Sequence, residues 1–554
     1  MALCGWGVST IGGGAMRGDV PAAETASPDR SVPVAATDAG LVRGTRLGAD
    51  GTVRRFAGIP YAAPPTGDRR WQPPAPVEPW GDVRDATAFG AACSQPADLP
   101  LAVRLGPVAT TYSEDCLTLN VWTPADAPSA RLPVMVWIHG GAFLVGASSQ
   151  SVYDGESLAR RGVVVVSVNY RLGPFGFLAH PALSRQSPTS SSGNYGLLDQ
   201  MAALRWVQRN VAVFGGDPAR VTVFGESAGA VSVNLLLVSP AARGLFHRAI
   251  LQSGTTLGRV QHLREGWYFQ PPAEEVGRRV AAAAKADEAN PIPTLRALAP
   301  EALLAAAQPQ MPFSAAGNPF HPVVDGAVVP DEPALLMERG EFARVPVIVG
   351  ANADEGSLFA QAVGGASLVS YRLVVAAAYP RHAAQVLARF PASTDEEARN
   401  AAADSLTAVA FTAPARRLAR EVVRAGAKAY VYDFTRVRPG SAGQRWGAFH
   451  GSELPFVFGT LVPRTVAGFG ELLVDDRDRE LGDQMAATWV RFAATGDPNV
   501  PGVPAWAAYD AERRTVMEFG QTATRARRDP CAETCDLFDA IARDWQARKV
   551  TARN

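Results

Sequence analysis

Val221-Thr-Val-Phe-Gly-Glu-Ser-Ala-Gly-Ala230 sets an apolar, β-branched run directly against a serine held between two glycines. Glycine has no Cβ, so it admits a sharp turn and the close passage of a second element, and it weakens a regular element by roughly 0.5–1 kcal/mol. A chain that places Gly225 and Gly229 around Ser227 needs a local reason for doing so. The run before them reads as a buried strand, and Ala228-Gly-Ala-Val-Ser-Val opens a helix. Strand, Gly-x-Ser-x-Gly and helix in that order is the layout of a nucleophile elbow, a strained turn that lifts a serine hydroxyl above the edge of a sheet. In a chain with 52 glycines the short pattern carries little by itself, and its weight comes from the elements on either side.

Outward from the elbow, apolar runs of strand length alternate with helical patterns, which favours a large, mainly parallel sheet covered by helices. Leu132–Ile138, Val163–Tyr170, Arg220–Phe224, Arg248–Gln252, Val345–Val349 and Ala429–Phe434 read as strands buried on both faces. Leu197, Leu198, Met201, Leu204 and Val207 fall at helical spacing, as do Leu481, Met485, Trp489 and Phe492 before the turn Gly496-Asp-Pro-Asn499; both stripes are core faces. The expected class is α/β. No repeat or linker divides the pattern, so one domain is expected over 33–545. Residues 1–32 read as a disordered tail or the remnant of a signal peptide: Met1 to Met16 is apolar but lacks a basic start and a sustained aliphatic stretch.

Composition excludes several partners. The chain has 554 residues, enough for a large core, and its 53 basic residues balance 53 acidic ones with no dense cationic block. Nucleic-acid binding is not expected on that charge pattern. No apolar run reaches the roughly 18 residues of a membrane-spanning helix. The cysteines are Cys4, Cys93, Cys116, Cys531 and Cys535, an odd set that leaves one thiol over if two bridges form.

A serine hydroxyl needs a base to take its proton and a third group to orient that base. In the order serine, acid, histidine, the base must follow an acid that itself follows a later strand. His139, His180 and His247 lie before or too close to the elbow, and His262 and His321 precede the strand at 345–349. Of the two left, His382 sits in a helical stretch, whereas His450 sits in Gly447-Ala-Phe-His-Gly-Ser-Glu-Leu-Pro455, a glycine-flanked loop after the strand ending at Phe434. Such a loop is the expected catalytic place. The acid comes from Gly350-Ala-Asn-Ala-Asp-Glu-Gly356, which offers Asp354 and Glu355, and position alone does not choose between them.

Taken together these residues resemble the type-B carboxylesterases and lipases, an α/β-hydrolase branch that includes the cholinesterases. The resemblance runs from about Gly40 to Phe519. It rests on Phe56-Ala-Gly-Ile-Pro-Tyr-Ala-Ala-Pro-Pro65, Ser113-Glu-Asp-Cys-Leu-Thr-Leu-Asn-Val-Trp122, His139-Gly-Gly-Ala-Phe143, Asn169-Tyr-Arg-Leu-Gly-Pro-Phe-Gly-Phe177, Phe224-Gly-Glu-Ser-Ala-Gly229, Asn352-Ala-Asp-Glu-Gly356 and His450-Gly-Ser-Glu-Leu-Pro-Phe456. It implies the α/β-hydrolase fold, Ser227 as nucleophile, His450 as general base and acid, and Glu355 as the orienting carboxylate. It further implies an oxyanion hole from Gly140, Gly141 and Ala228, a supporting role for His139, and a field effect of Glu226 on the pocket. By the same resemblance Cys93 pairs with Cys116, Arg70 with Glu114 and Arg171 with Asp199, and Gly140-Gly-Ala142 admits esters of tertiary alcohols.

The departures narrow the substrate. Where cholinesterases carry a tryptophan that stacks on a quaternary ammonium, Ser94 to Asp115 has no tryptophan and only Tyr112 as an aromatic. An uncharged small-molecule ester and a bacterial-type carboxylesterase are therefore expected. Leu99, Leu101, Val103, Leu105 and Val108 in that loop suit either an apolar wall or lid over an uncharged ester or packing of the loop on the body. Neither metal nor organic cofactor is implied. Two other readings stand beside esterase action: an interfacial lipase acting on longer acyl chains, and a non-catalytic adhesion or scaffold relative, which the intact Ser227, Glu355 and His450 disfavour. A disulfide between Cys93 and Cys116 would suit a secreted or periplasmic protein, the alternative being cytoplasmic.

Overall fold

The computed structural model describes residues 32–96, 111–256, 260–266, 270–308, 318–360 and 367–553, with side chains to 545. The N-terminal tail with Cys4 and the apolar positions from Leu99 to Val108 lie outside the described residues.

Eleven strands form the central sheet: β1 (Thr45–Leu47), β2 (Val53–Pro60), β3 (Thr118–Thr123), β4 (Leu132–Ile138), β5 (Val164–Val168), β6 (Gly216–Glu226), β7 (Arg248–Gln252), β8 (Val347–Asn352), β9 (Ala429–Phe434), β10 (Thr515–Phe519) and β11 (Thr524–Arg528). Their spatial order is β11-β10-β9-β8-β7-β6-β4-β5-β3-β2-β1. The block from β5 to β10 is parallel throughout. Antiparallel strands flank it on both sides, β1, β2 and β3 at one end and β11 at the other.

The parallel strands are apolar on both faces because each face meets its own core. In β4, Val134, Val136 and Ile138 enter one cluster, and Met135 and Trp137 enter the other. In β9, Ala429 and Val431 join the first, and Tyr430, Tyr432 and Phe434 the second. This is the strand period of two acting on a sheet covered on both sides. Helices α1 (Pro181–Gln186), α2 (Tyr195–Asn210) and α3 (Ala228–Val238) pack into the first core, and α6 (Asp476–Thr495) packs Leu481, Met485, Trp489 and Phe492 into the second. Between them in sequence lie α4 (Asp395–Leu406) and α5 (Ala413–Arg424), joined by a π-helical turn at Thr407–Thr412, and α7 (Ala532–Arg553) follows the sheet.

Buried ion pairs and a disulfide tie the loops to this frame. Arg171 lies fork to fork with Asp199 of α2 at 2.7 and 2.8 Å. Arg70 pairs with Glu114 and also donates to the carbonyls of Leu295 and Leu298, so one side chain holds three segments. Cys93 is bonded to Cys116, while Cys531 and Cys535 are free thiols. The Cys535 N–H donates to the Cys531 carbonyl at 2.8 Å, which sets the two one turn apart at the start of α7. Among the described residues no helix is long and apolar enough to cross a membrane.

Candidate active site

Ser227 stands where β6 ends and α3 begins, with φ 55° and ψ −123°. A non-glycine residue held there costs on the order of 1–3 kcal/mol and persists only where its surroundings dictate it. Those surroundings are tight. The Ser227 N–H donates to the Gln252 carbonyl at 2.9 Å, and a Cβ on Gly229 would lie 2.0 Å from the Ile138 carbonyl oxygen. The second glycine of the elbow is thus required by the passage of β4. Ser227 remains partly exposed while its neighbours Glu226 and Ala228 are buried.

The histidine arrives on the loop after β9. His450 Nδ1 lies 2.5 Å from Glu355 Oε2, and Glu355 Oε1 accepts the Asn352 N–H at 2.7 Å, so both carboxylate oxygens are engaged. Asp354 goes elsewhere: its Oδ2 accepts the Ala448 N–H at 2.7 Å, and its own N–H donates to the Ala448 carbonyl at 3.1 Å. The two adjacent acids therefore divide the work, one clamping the backbone of the histidine loop and the other meeting the imidazole. His382 precedes the short helix Ala383–Arg389 and contacts Gln385 and Asp544, away from Ser227's elbow.

Gly140, Gly141 and Ala142 follow β4 and have their carbonyls tied down. The Gly140 carbonyl accepts from His139 Nδ1 at 2.8 Å, that of Gly141 from the N–H groups of Leu144 and Val145, and that of Ala142 from Asn318 Nδ2 at 2.9 Å. Gly141 has φ 109°, and a Cβ there would strike the Val145 carbonyl at 1.9 Å, so no other residue fits. The His139 ring stacks on Tyr170, whose hydroxyl donates to the His139 carbonyl at 2.8 Å. Burial holds His139 down to about 4, so it is neutral at pH 7 and acts as a brace for the loop. Ala228 opens α3, where a first-turn N–H has no intrahelical acceptor.

Three features of the site depend on contacts invisible in the sequence. Glu226 Oε1 lies 3.1 Å from His450 Nε2, without an aligned hydrogen bond, so the approach is coulombic. Glu453 accepts from Gln252 Nε2 at 3.0 Å and Asn352 Nδ2 at 2.6 Å, and Gln252 Oε1 in turn accepts from Trp489 Nε1 at 3.0 Å. Its only signal was its place three residues after His450 in the histidine motif. Phe359 and Phe411 set their rings 5.0 and 5.1 Å from the imidazole, the second presented by the π-helical turn.

Three carboxylates and one imidazole share this buried volume. Burial pushes Glu226 up to about 8, and Glu453 and Glu355 add to the effect while His450 opposes it. For His450, burial disfavours the cation, but Glu226 and Glu355 outweigh it and raise the ring to about 9. Glu453 is likewise raised by burial, then by Glu355.

A doubly covered parallel sheet, a serine on a left-handed turn between strand and helix, and an acid-bound histidine on a later loop define an α/β-hydrolase. The sequence profile of the carboxylesterase family matches residues 31–538, and the chain belongs to that family. Among characterised relatives it is 39% identical to fumonisin B1 esterase of Sphingopyxis macrogoltabida over 501 residues, 88% of each chain. It is 37% identical to para-nitrobenzyl esterase of Bacillus subtilis over 492 residues, 87% of this chain and 94% of that one. Acetylcholinesterase of Bungarus fasciatus is 34% identical over 535 residues, 91% of this chain and 85% of that one. The protein is a serine hydrolase of carboxylic esters.

Proposed function

We propose that Ser227, His450 and Glu355 carry out the ester cleavage, with the N–H groups of Gly140, Gly141 and Ala228 as oxyanion donors. The observation that carries this reading is the 2.5 Å contact of His450 Nδ1 with Glu355 Oε2, together with the 3.1 Å approach of His450 Nε2 to Glu226, the residue before Ser227. In the first half-reaction His450 Nε2 takes the Ser227 proton as Oγ bonds to the ester carbon, and the carbonyl electron pair moves onto oxygen. The tetrahedral species collapses, and the alcohol leaves with the proton returned by His450. Water, deprotonated by the same nitrogen, then releases the acid and restores Ser227. The bonded carbonyls of residues 140–142 fix the path of the loop that carries the Gly140 and Gly141 N–H groups, and one oxyanion donor is worth ~2.7–4 kcal/mol in the barrier.

The substrate is an uncharged ester: Phe359 and Phe411 against the imidazole favour an apolar group there, and the tied-back loop leaves room for esters of tertiary alcohols such as tert-butyl acetate. Interfacial lipase action has one observation in its favour. Helix Leu368–Ala378 leaves Val369 68% and Leu373 65% exposed, a surface suited to a lipid interface. A jump in rate as a short-chain ester passes its solubility limit selects the lipase reading, and a smooth saturation curve selects the esterase. The Cys93–Cys116 bond supports a secreted or periplasmic location. Treatment with a fluorophosphonate should label one site, mapped by peptide mass spectrometry to Ser227; label on any other serine would overturn the assignment.

A further inference from the structure

A second cavity, of about 310 Å³, opens beside the start of α2. Trp71, Leu183, Tyr195, Leu198 and Val328 form an apolar wall, and polar side chains line the rest. Neither Ser227, His450 and Glu355 nor the loop at 140–142 lines it. We propose that this cavity is a separate binding site for a small, uncharged, largely apolar molecule, of the chemistry of an aromatic or branched alcohol.

Three observations select that chemistry. The volume sits at the small end of the ~300–1,000 Å³ range of ligand sites, which suits a one- or two-ring molecule. Charge is poorly provided for. No arginine, lysine or histidine is among the described lining residues, so an anion would lose its hydration without a counter-charge. The one acid, Asp325, spends Oδ1 on the N–H groups of Ala327 and Val329 at 3.0 and 2.9 Å.

The polar groups at the rim are mostly committed to one another. Asn194 uses its whole amide on Val323, accepting its N–H and donating to its carbonyl, both at 2.9 Å. Thr189 Oγ1 lies 3.0 Å from Ser187 Oγ and 2.8 Å from Ser191 Oγ. Such a hydroxyl chain can turn one donor or acceptor toward a ligand hydroxyl without leaving a buried group bare. Affinity then comes from burying apolar surface, with that chain fixing orientation.

The wall is also formed in advance. Trp71 has φ 59° and its indole N–H donates to the Pro174 carbonyl at 2.8 Å, so the backbone is strained and the ring is fixed by the protein's own contacts. Nothing in ester cleavage at Ser227 uses this arrangement. A preformed apolar wall lowers the ordering cost of binding.

Calorimetric titration of the full chain with 1-naphthol at pH 7, where the probe is neutral, tests the site. Leu198→Trp and Ala327→Trp each fill the cavity. Both should weaken naphthol binding by about tenfold or more, while kcat/KM for p-nitrophenyl acetate stays within about twofold of wild type. Ala327 lies in a surface turn, so its variant carries the test if the Leu198 variant fails to fold. Unchanged naphthol affinity in an active, cavity-filled variant would overturn the proposal. Binding of benzoate or phenyltrimethylammonium as tight as that of naphthol would overturn the assignment to uncharged ligands. Neither result depends on which serine the fluorophosphonate labels.

Discussion

Two buried charge clusters, one around Arg416 and one around His450, are balanced differently. Around Arg416, at the α5 end, one guanidinium meets Asp433 at 2.5 Å and Asp529 at 3.0 Å, and all three are buried. Around His450, three carboxylates face one imidazole whose charge is optional. At Asp529 burial opposes ionisation, but the charge and hydrogen bond of Arg416 outweigh it and hold the carboxyl below its ordinary range. At Glu226 the balance falls the other way, and the carboxyl is raised to about 8. Arginine cannot give up its proton, so the first cluster is fixed; the second is over-supplied with acids and can be titrated. On the proposed mechanism, the cluster that holds the fold settles its charges, whereas the one that would move protons keeps a group undecided near neutrality.

The contrast can be broken most severely at the catalytic end. Ser227→Ala and His450→Ala should each lower kcat/KM for p-nitrophenyl acetate by about 10⁴-fold or more, with melting temperature close to wild type. A Ser227→Ala enzyme retaining a tenth of the activity would remove the basis for the mechanism. Glu355→Gln leaves nucleophile and base in place but loses the charge beside Nδ1, and a loss on the order of 10³-fold is expected. Asp354→Asn should cost less, about tenfold, since it disturbs only the loop backbone; equal losses for the two would mean that their division of labour is wrong.

The structural cluster should answer in the other currency. Arg416→Met takes the guanidinium from Asp529 and leaves Asp433 only Arg527 at 3.6 Å, and it should reduce stability by about 3–5 kcal/mol, measured by urea denaturation, while the folded fraction keeps its kcat. The smallest effect is a shift on the pH axis. His450 must be neutral to accept a proton, and Glu226 at 3.1 Å favours its cation. Glu226→Gln should therefore move the acidic limb of the kcat/KM profile down by about one unit; an unmoved limb would show that Glu226 does not act on the base.

The two clusters also bend stability in opposite directions. His450, raised from 6.5 to about 9, stabilises fully below the lower value, and that contribution fades as pH climbs through the higher one. Glu226 works the same way, because the unfolded chain ionises it from about 4.5 while the folded chain waits until about 8. Asp529 is lowered, so its contribution holds above the ordinary aspartate value and is lost as pH falls through the depressed one.

What the sequence showed and hid follows from burial. The parallel strands were legible because both faces are covered and their runs are continuous, as in Val164–Val168. The antiparallel flanks were not. Thr524-Arg-Ala-Arg-Arg528 has no apolar run to mark it as a strand, and Val53–Pro60 carries two arginines and a register shift between Phe56 and Ile59. At the site, the serine's turn and the histidine's loop announced themselves through glycines and chain order. Asp354 and Glu355 could not be told apart, since their difference lies in which loop atom each reaches. The contact of Glu226 with His450 joins residues 224 positions apart, and Phe411 reaches the ring only because α4 and α5 are joined by a widened turn.

The last strand, β11, bears on a hazard common to open sheets. It forms the open edge of an 11-stranded sheet, and an unpaired edge is a template onto which a second chain can add its own strand. Here that edge carries Arg525, Arg527 and Arg528; Arg525 pairs with Glu518 at 2.6 Å yet stays exposed, as does Arg528. Two such edges brought together would oppose like charges along their length. That repulsion disfavours the addition of a second strand at this edge.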